Sequence, residues 1–559
     1  MGHKVAVIGA GPSGLTTVKE LLAEGHEPIC FERASGLGGV YRFDESDGAV
    51  WESARLTSSG LMIAFSDFPV PDHRAGHMTI TEYLEYLCAY GERFGALSHV
   101  QLGTTVQSVT PVDGGRWRVT VSDRRGRVQV GEYDAVAVCS GLPHTPNRPP
   151  FQGEATFTGT ILHSSQYRRQ GQVEGKRILV VGGGESGADI AAEASACAAD
   201  TVLSLRRGVA AIPRTRNGMP SDYLTSRLTN SAAHWVFQTR NPKDDGKRLV
   251  YYVAFFPLAL LDKIVRLVKA PLAWLAPLEF LRPGRGGVAA ARLASRTKHL
   301  SKQLLAGSGG VLTEQFATKS DEFVKAMAQG RCRLAPGLDR FDGDIVRFTD
   351  GSTFAPDVVI LCTGFNGNAP FLSDDLATAP RYLHTFLPAI GQGLAFIGHV
   401  RPAMGAIPPL AELQARWFGR LLSGQATLPS RAAMEAAIDR QKRRRRHVFR
   451  AVRDRLEYLV DYTSTCDELA AMIGCKPTRA ALRRERARFR LRFYAAPFVA
   501  AQYRLVGPHA RPDIARGVIE RLPIACRPES IAAYFMRWQL TRCLARLLGP
   551  DFSPNLDLD

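Results

Sequence analysis

The chain has 559 residues, and its 71 lysines and arginines exceed its 53 aspartates and glutamates, which gives a net charge of +18. Its 45% hydrophobic and 22% charged residues exclude a disordered, collagenous or coiled-coil protein, and its length predicts two or three domains. The ten cysteines include no CxxC pair, which argues against a disulfide scaffold, a zinc ribbon and a dithiol redox centre.

The first predicted element is an apolar strand that leads into a glycine-rich turn and a helix, within residues 5–25. Gly9, Gly11 and Gly14 have the GxGxxG spacing. The first glycine permits the tight turn, the second lets the backbone approach a pyrophosphate, and the third lets the helix pack on the strand. Glu32 ends the next strand, where an acid accepts hydrogen bonds from a ribose 2′-hydroxyl, so this half is predicted to bind FAD or NAD.

A second element of the same design lies within residues 178–196, where an apolar strand leads into Gly182, Gly184 and Gly187. One GxGxxG motif is weak evidence, but two in the same strand–turn–helix context predict two dinucleotide-binding domains.

The strand after the second motif ends in Arg206 and Arg207 and carries no acid. Arginine at this position suits a ribose 2′-phosphate, which predicts NADPH, and Arg214 is a further candidate. A basic surface loop is the alternative interpretation.

Two further apolar strands, at 134–141 and 357–364, end in similar small-residue turns and indicate where the chain crosses between the two domains. We therefore predict an α/β fold with two Rossmann-like domains, the NADPH-binding domain being inserted in the FAD-binding domain. The predicted division gives the FAD-binding domain residues 1–168 and 331–440, the NADPH-binding domain 169–330 with a hydrophobic helical insert at about 222–310, and a basic C-terminal extension 441–559 packed on the FAD-binding domain.

Two regions raise the question of a membrane. No run reaches the roughly 20 apolar residues of a membrane span, but residues 249–281 mix Lys and Arg with Trp, Leu and Phe, as interfacial helices do. A buried hairpin or a substrate-channel wall is the alternative.

Residues 431–559 hold 26 Lys and Arg against 14 Asp and Glu. This excess of positive charge favours binding to an anionic surface, and a solvated basic face is the alternative. Because the chain opens on a strand and not on a secretory signal, we expect a cytoplasmic protein with peripheral membrane contact through these regions.

Several motifs together carry a family resemblance. The FxGxxxHxxxY segment from Phe157 through His163 to Tyr167, SDFP at 66–69, GAIPPLAELQARW at 405–417 and AQYRLVGP at 501–508 resemble the class B flavin-containing monooxygenases, in particular their longer, eukaryotic-type members. The resemblance implies FAD in the larger domain, NADPH in the smaller one, and O2 as co-substrate. It further implies oxygen transfer from a C4a-hydroperoxyflavin to a nitrogen or sulfur atom of a lipophilic small molecule.

The resemblance also implies roles for individual residues. Gly39 and Tyr41 fall in the FAD site, Tyr41 standing where the family usually has Trp, and Ser186 falls in the NADPH loop. His163 and Tyr167 belong to a motif that links the domains, and His163 is expected to be structural. No metal and no nucleic acid is implied.

This chain departs from the family pattern at two further positions. The stretch 54–62 contains no asparagine, whereas the family places there an Asn that contacts flavin and NADP+. Thr57 or Ser58 is the candidate replacement, although a hydroxyl cannot reproduce the paired donor and acceptor of an amide. Glu185 stands where the NADPH loop often carries Asn, and an acid near a pyrophosphate must point away from it.

Other functions remain open on the sequence alone. A Baeyer–Villiger monooxygenase is one, although Tyr167 and Arg168 stand where those enzymes carry Trp and then Pro or Asp. An uncoupled NADPH oxidase that releases H2O2 is another, because the Asn is missing. A non-enzymatic binding protein is a further alternative. The basic run at 442–446 supports it, but such a protein would not need two intact glycine motifs. The substrate and the oligomeric state are left open.

Overall fold

The computed structural model describes residues 2–46, 48, 50–142, 145–230, 287–309, 317–367, 369–448 and 458–525. The predicted interfacial segment 249–281 and most of the insert 222–310 lie outside the described residues. Among the residues that are described, no helix is both long enough and apolar enough to cross a membrane.

The elements follow in chain order. The strands are β1 (Lys4–Ile8), β2 (Glu27–Phe31), β3 (Val100–Gln101), β4 (Thr104–Val112), β5 (Arg116–Asp123), β6 (Val128–Tyr133), β7 (Ala135–Val138), β8 (Thr145–Pro146), β9 (Thr160–His163), β10 (Arg177–Val181), β11 (Asp200–Ser204), β12 (Thr215–Arg216), β13 (Met219–Pro220), β14 (Arg333–Ala335), β15 (Leu338–Asp342), β16 (Ile345–Phe348), β17 (Thr353–Phe354), β18 (Val358–Leu361), β19 (Phe365–Asn366), β20 (Leu394–Phe396), β21 (Arg401–Pro402) and β22 (Leu459–Val460). The α-helices are α1 (Pro12–Ala23), α2 (Gly60–Ile63), α3 (Ile80–Arg93), α4 (Glu185–Ala194), α5 (Gly287–Gly307), α6 (Glu322–Ala328), α7 (Asp374–Thr378), α8 (Ile407–Leu422), α9 (Arg431–Val448), α10 (Tyr462–Ile473), α11 (Arg479–Arg483), α12 (Ala487–Ala495) and α13 (Pro512–Arg521).

Two parallel five-stranded sheets form the centres of the two domains. The first has the order β20-β7-β1-β2-β3 and the second the order β14-β11-β10-β18-β9. The central strands are apolar along their whole length and buried, as β7 and β18 show. Strands with this pattern are covered on both faces, as expected for a parallel sheet.

The two domains repeat one design. In each, the glycine-motif strand (β1 or β10) lies between the strand that follows its helix (β2 or β11) and a later apolar strand (β7 or β18). Each also carries a three-stranded antiparallel sheet, β4-β5-β6 or β15-β16-β17. The second domain lies in the chain between β7 and β20, so the predicted insertion of one Rossmann-like domain in the other is confirmed.

Strand pairing differs from the predicted division at two places. Thr160–His163 pairs with β18 in the second sheet, although the division at residue 168 assigned it to the FAD-binding part. Strands β14 and β18 also belong to the second sheet, although residues from 331 onward were assigned to the first domain. The boundary was drawn from local motifs, whereas pairing between distant segments decides which sheet a strand joins.

The C-terminal region packs against the first domain. Residues 459–460 pair with 401–402, and helix α10 packs on helix α8. Buried Arg227, at the start of the insert, makes a two-pronged ion pair with Asp467 at 2.9 and 3.0 Å and also bonds Gln502 at 2.7 Å. These contacts tie residues 458–525 to the rest of the molecule.

Candidate functional site

The first glycine turn has the shape of a pyrophosphate cradle. Gly9 has φ +102°, a conformation that other residues rarely adopt. A Cβ on Gly14 would lie 1.8 Å from the carbonyl oxygen of Gly9, so helix α1 can approach β1 only through a glycine. Gly39 lies against Gly11, and Gly38 donates to the Ala10 carbonyl at 3.1 Å, so a second glycine loop covers the turn. The residues fit the pyrophosphate of FAD at the start of α1.

Glu32 and Tyr41 flank this cradle. The buried carboxylate of Glu32 accepts hydrogen bonds from the N–H groups of Ala10, at 2.7 Å, and Ala34, at 2.8 Å. It therefore lies beside the glycine turn, where the sequence predicts a ribose contact. The Tyr41 ring meets the Tyr83 ring edge-on at 4.7 Å, and burial raises the pKa of Tyr41 to about 12, so its phenol stays protonated at neutral pH.

The second glycine turn repeats the first. Gly182 has φ +114°, and a Cβ on Gly187 would lie 1.9 Å from the Gly182 carbonyl oxygen. A Cβ on Gly184 would meet nothing within 4 Å, which leaves room for a phosphate at the start of α4. Ser186 lies in the first turn of that helix.

Arg206 and Arg207 lie just after β11, where the sequence predicts a contact with the 2′-phosphate. Both are exposed just after β11, and the stem of Arg206 runs past Gly337. Arg214, the third candidate, is instead ion-paired to Asp189 of α4 at 2.5 Å. The two exposed arginines are therefore the better candidates for contact with the phosphate.

The carboxylate of Glu185 is held by the backbone of the segment that contains Lys319. It accepts a hydrogen bond from the backbone N–H of Lys319 at 3.0 Å. Burial raises the pKa of Glu185, and the neighbouring charge of Lys319 opposes that shift. The acid thus faces the segment around Lys319, which explains how an acidic residue is tolerated in this loop.

His163 of the family motif ends β9, the edge strand of the second sheet. The His163 ring donates from Nε2 to the Gly364 carbonyl at 3.0 Å and accepts at Nδ1 from the Ser165 N–H at 3.2 Å. Burial lowers the pKa of His163. Both ring nitrogens are engaged, so the ring holds the segment after β18 beside the segment after β9, which supports the prediction that His163 is structural.

Tyr167 acts on the neighbouring helix. It is fully buried, and its hydroxyl donates to Oε1 of Glu193 in α4 at 3.0 Å. The other carboxylate oxygen of Glu193 accepts from Trp51 at 3.0 Å and from Ser53 at 2.6 Å. Glu193 therefore joins the first domain to the helix that follows the second glycine turn.

A cleft is lined by residues of both domains, and the structure brings one of the two predicted hydroxyls to it. The cleft is lined by Thr57, His77, Ile212, Pro213, Arg214, Ser221, Asp222, Lys319 and Met404. Ser58 is buried beside it, and its hydroxyl donates to the Gly405 carbonyl at 3.1 Å. Thr57 therefore faces the cleft, whereas the hydroxyl of Ser58 is used within the protein.

Two charged residues of the cleft were missed by sequence reasoning. Asp222 and Lys319 are 6% and 7% exposed. Burial lowers the pKa of Lys319, while the carboxylates of Glu185 and Asp222 oppose that shift. Neither residue belongs to a local motif, so the sequence held no signal for them.

Three of the family stretches meet in one buried ionic network next to the first glycine motif. The acids are Glu20, Asp67 and Glu412, and the cations are Lys19 and Arg504. Arg504 lies 2.7 Å from Glu20 and 3.0 Å from both Asp67 and Glu412, and it donates to the Ser66 hydroxyl at 2.6 Å. Three converging carboxylates resemble a metal site, but here two cations occupy the space between them.

The fold and its paired glycine turns define a class of protein, an oxidoreductase that binds two dinucleotides across the junction of two Rossmann-like domains. Sequence comparison makes the class specific. The model of the flavin-binding monooxygenase-like family matches residues 2–240 and 288–522. The chain belongs to this family, and it is a flavin monooxygenase that uses FAD and NADPH.

Named relatives extend over nearly the whole chain. A 4-hydroxybenzoate brominase (decarboxylating) from Marinomonas mediterranea is 31% identical over 94% of this chain and 93% of its own length. A dimethylaniline monooxygenase [N-oxide-forming] 2 from Pan troglodytes is 32% identical over 91% of this chain and 89% of its own. The fold is shared with OTEMO, whose crystal structure in complex with FAD and NADP aligns with a TM-score of 0.54 at 14% identity, over 80% of this chain and 90% of the other.

Proposed function

We propose that this flavin monooxygenase transfers one oxygen atom from O2 to a nitrogen or sulfur atom of a lipophilic small molecule. The observation that carries the proposal is the 32% identity of this chain, over 91% of its length, to a dimethylaniline monooxygenase [N-oxide-forming] 2. The described residues that line the interdomain cleft include no cysteine, and Arg214 among them is ion-paired to Asp189. The oxygen atom would come from the bound flavin, so the substrate must bring the reactive electron pair, as amines and sulfides do.

The two cofactors and the protein residues have separate roles in this reaction. FAD, when bound, supplies the oxygen chemistry, and NADPH supplies the two electrons that reduce the second oxygen atom to water. The first glycine turn and the start of α1 would hold the FAD pyrophosphate, and the turn at Gly184 would hold that of NADPH. Thr57 is the proposed hydroxyl contact in the cleft, and Glu193 joins the two domains through Trp51 and Ser53.

Substrate turnover tests the proposal. Purified holoenzyme with NADPH and air receives N,N-dimethylaniline or methyl p-tolyl sulfide, and products are measured by mass spectrometry alongside NADPH consumed and H2O2 released. We expect the N-oxide or the sulfoxide in proportion to NADPH consumed. Lactone from cyclohexanone, with neither of those products, would favour Baeyer–Villiger oxidation. Stoichiometric H2O2 with every substrate would instead leave an NADPH oxidase.

A second candidate function is bromination of a phenolic acid with loss of its carboxyl group. The observation that favours it is the 31–32% identity to two bacterial proteins named 4-hydroxybenzoate brominase (decarboxylating), over 94% of this chain. The same assay with 4-hydroxybenzoate and potassium bromide tests this candidate. A brominated phenol that forms only when bromide is present would replace the first proposal, and its absence would remove the second.

We also propose that the protein is cytoplasmic with peripheral contact to an anionic membrane. Within the described part of the chain, helix α9 exposes Lys442, Arg443 and Arg446. Charges of this kind add about 1 kcal/mol each to attraction toward anionic lipid. Co-sedimentation with phosphatidylserine vesicles, compared with phosphatidylcholine vesicles, tests the contact. Equal binding to both, or to neither, would count against it.

A further inference from the structure

The interdomain cleft holds a buried cation that the protein itself satisfies poorly. The ammonium group of Lys319 can donate three hydrogen bonds. Within the described part of the chain it has one acceptor, the carbonyl oxygen of Gly405 at 3.4 Å. Burying a charge is costly unless the charge is paired and hydrogen-bonded. The Lys319 ammonium group can therefore donate further hydrogen bonds to a ligand in the cleft.

A buried acceptor lines the same cleft. Oδ2 of Asp222 accepts a hydrogen bond from the N–H of Ser59 at 2.7 Å. Oδ1 of Asp222 is also shielded from solvent, yet it has no hydrogen-bond partner among the described residues. Asp222 and Lys319 are close enough for the carboxylate to raise the pKa of the lysine. One unused acceptor and one underused donor thus line the same cleft.

The position of this pair relates it to the two dinucleotide sites. Thr318 donates to the Gly183 carbonyl at 2.9 Å, and the Lys319 N–H bonds Glu185, so the backbone of this segment lies on the second glycine turn. The tip of Lys319 reaches Gly405 of the first domain, whose carbonyl also accepts from Ser58. The pair therefore lies where the two domains meet, and the nicotinamide must approach the flavin at this junction to pass a hydride.

We propose that Lys319 and Asp222 together bind the carboxamide of the nicotinamide ring of NADPH. A carboxamide offers one carbonyl acceptor and one NH2 donor group, which matches one ammonium donor and one carboxylate acceptor. Lys319 donates to the carboxamide oxygen, and Oδ1 of Asp222 accepts from the NH2 group. The inference rests on NADPH as the cofactor and is independent of the substrate proposed above.

A cofactor analogue isolates one half of this contact. The oxidised 3-acetylpyridine analogue of NADP+ keeps the carbonyl but replaces the NH2 group by a methyl group. Dissociation constants for NADP+ and for the analogue are measured on the FAD-loaded enzyme by flavin difference absorbance, without substrate or turnover. Hydrogen bonds to charged groups are strong enough that the wild-type enzyme should bind NADP+ roughly tenfold or more tightly than the analogue.

Two variants separate the roles of the two residues. Asp222→Asn keeps a carbonyl oxygen for the Ser59 N–H but presents a donor to the ligand, so the preference for NADP+ should fall to about onefold or reverse. Lys319→Met should weaken the binding of NADP+ and of the analogue by a similar factor, about tenfold, because both ligands retain the carbonyl group. Lys319→Arg should recover part of that loss. Lys325→Gln, at a partly exposed lysine of α6 outside the cleft, is the matched control and should change neither constant.

Opposite results would overturn the proposal. They are equal binding of the two ligands by the wild-type enzyme, an unchanged preference in Asp222→Asn, or unchanged affinities in Lys319→Met. The FAD content and melting temperature of each variant identify folding failures, and Asp222→Asn and Lys319→Arg provide conservative alternatives. Because no product is measured, failure here would leave the oxygenation proposal standing, and failure of that proposal would leave this one standing.

Discussion

Gly184 and Gly187 lie three residues apart in the second glycine motif, and we predict that an added methyl group has different effects at the two positions. In Gly187→Ala the methyl carbon would lie 1.9 Å from the Gly182 carbonyl oxygen. Carbon–oxygen contacts normally lie at about 3.3 Å or more, so helix α4 must move by more than ~1 Å. Backbone cannot rotate away as a side chain does, and we expect a cost of about 3 kcal/mol or more.

In Gly184→Ala the methyl group meets no protein atom within 4 Å. Gly184 precedes α4 with φ −75° and an extended backbone that alanine adopts without strain. The stability change should stay within about 1 kcal/mol. The methyl group would instead occupy the space we assign to the NADPH pyrophosphate, so NADP+ affinity should fall at least tenfold, a loss of about 1.4 kcal/mol.

Two measurements on each purified variant check this pair of predictions: the melting temperature and the dissociation constant for NADP+. Gly14→Ala is the matched control in the first domain, because its methyl carbon would lie 1.8 Å from the Gly9 carbonyl oxygen. We expect that variant to lose FAD. If Gly184→Ala bound NADP+ like the wild-type enzyme, or melted as early as Gly187→Ala, the placement of the pyrophosphate over Gly184 would be refuted.

Three further predictions concern charge. Arg504→Met leaves buried carboxylates without their cation and should destabilise the enzyme by about 3–5 kcal/mol in urea unfolding, whereas the exposed Arg516→Gln should cost less than about 0.5 kcal/mol. Burial acts to raise the pKa of Glu20, but cationic neighbours outweigh it and lower the pKa from 4.5 to about 2. The stability this provides, about 3 kcal/mol, is present above pH 4.5 and is lost as the pH falls toward 2, so Glu20→Gln should flatten that part of the stability profile. Replacing Arg206 and Arg207 together by Gln should lower the NADPH-to-NADH ratio of kcat/KM about tenfold or more, and an unchanged ratio would place the 2′-phosphate elsewhere.

The sequence was informative where chemistry depends on short spacings. The two GxGxxG motifs, Glu32 and the arginines after β11 lie where the local pattern predicts, because a tight turn needs its glycines within a few residues of one another. The insertion of one domain in the other was also predictable, because a short apolar strand can be recognised in the sequence at each point where the chain crosses between the domains.

Sequence reasoning failed where distant segments decide the outcome. Lys319 meets Glu185 across 134 positions, and Ser59 meets Asp222 across 163. Arg504 and Ser66 are 438 positions apart, so both stretches carried a family resemblance without revealing that they touch. The sheet to which β9 belongs could not be predicted for the same reason, since its partner β18 follows almost 200 residues later.

The order of strands in the first sheet has a consequence for synthesis on the ribosome. Strand β20 pairs with β7, yet about 250 residues separate them in the chain, and every strand of the second sheet is made in that interval. At about 5–20 residues per second, the first sheet waits roughly 10–50 s for its edge to be closed. The second domain therefore completes its strands first and folds while its host is unfinished, with one side of β7 still unpaired.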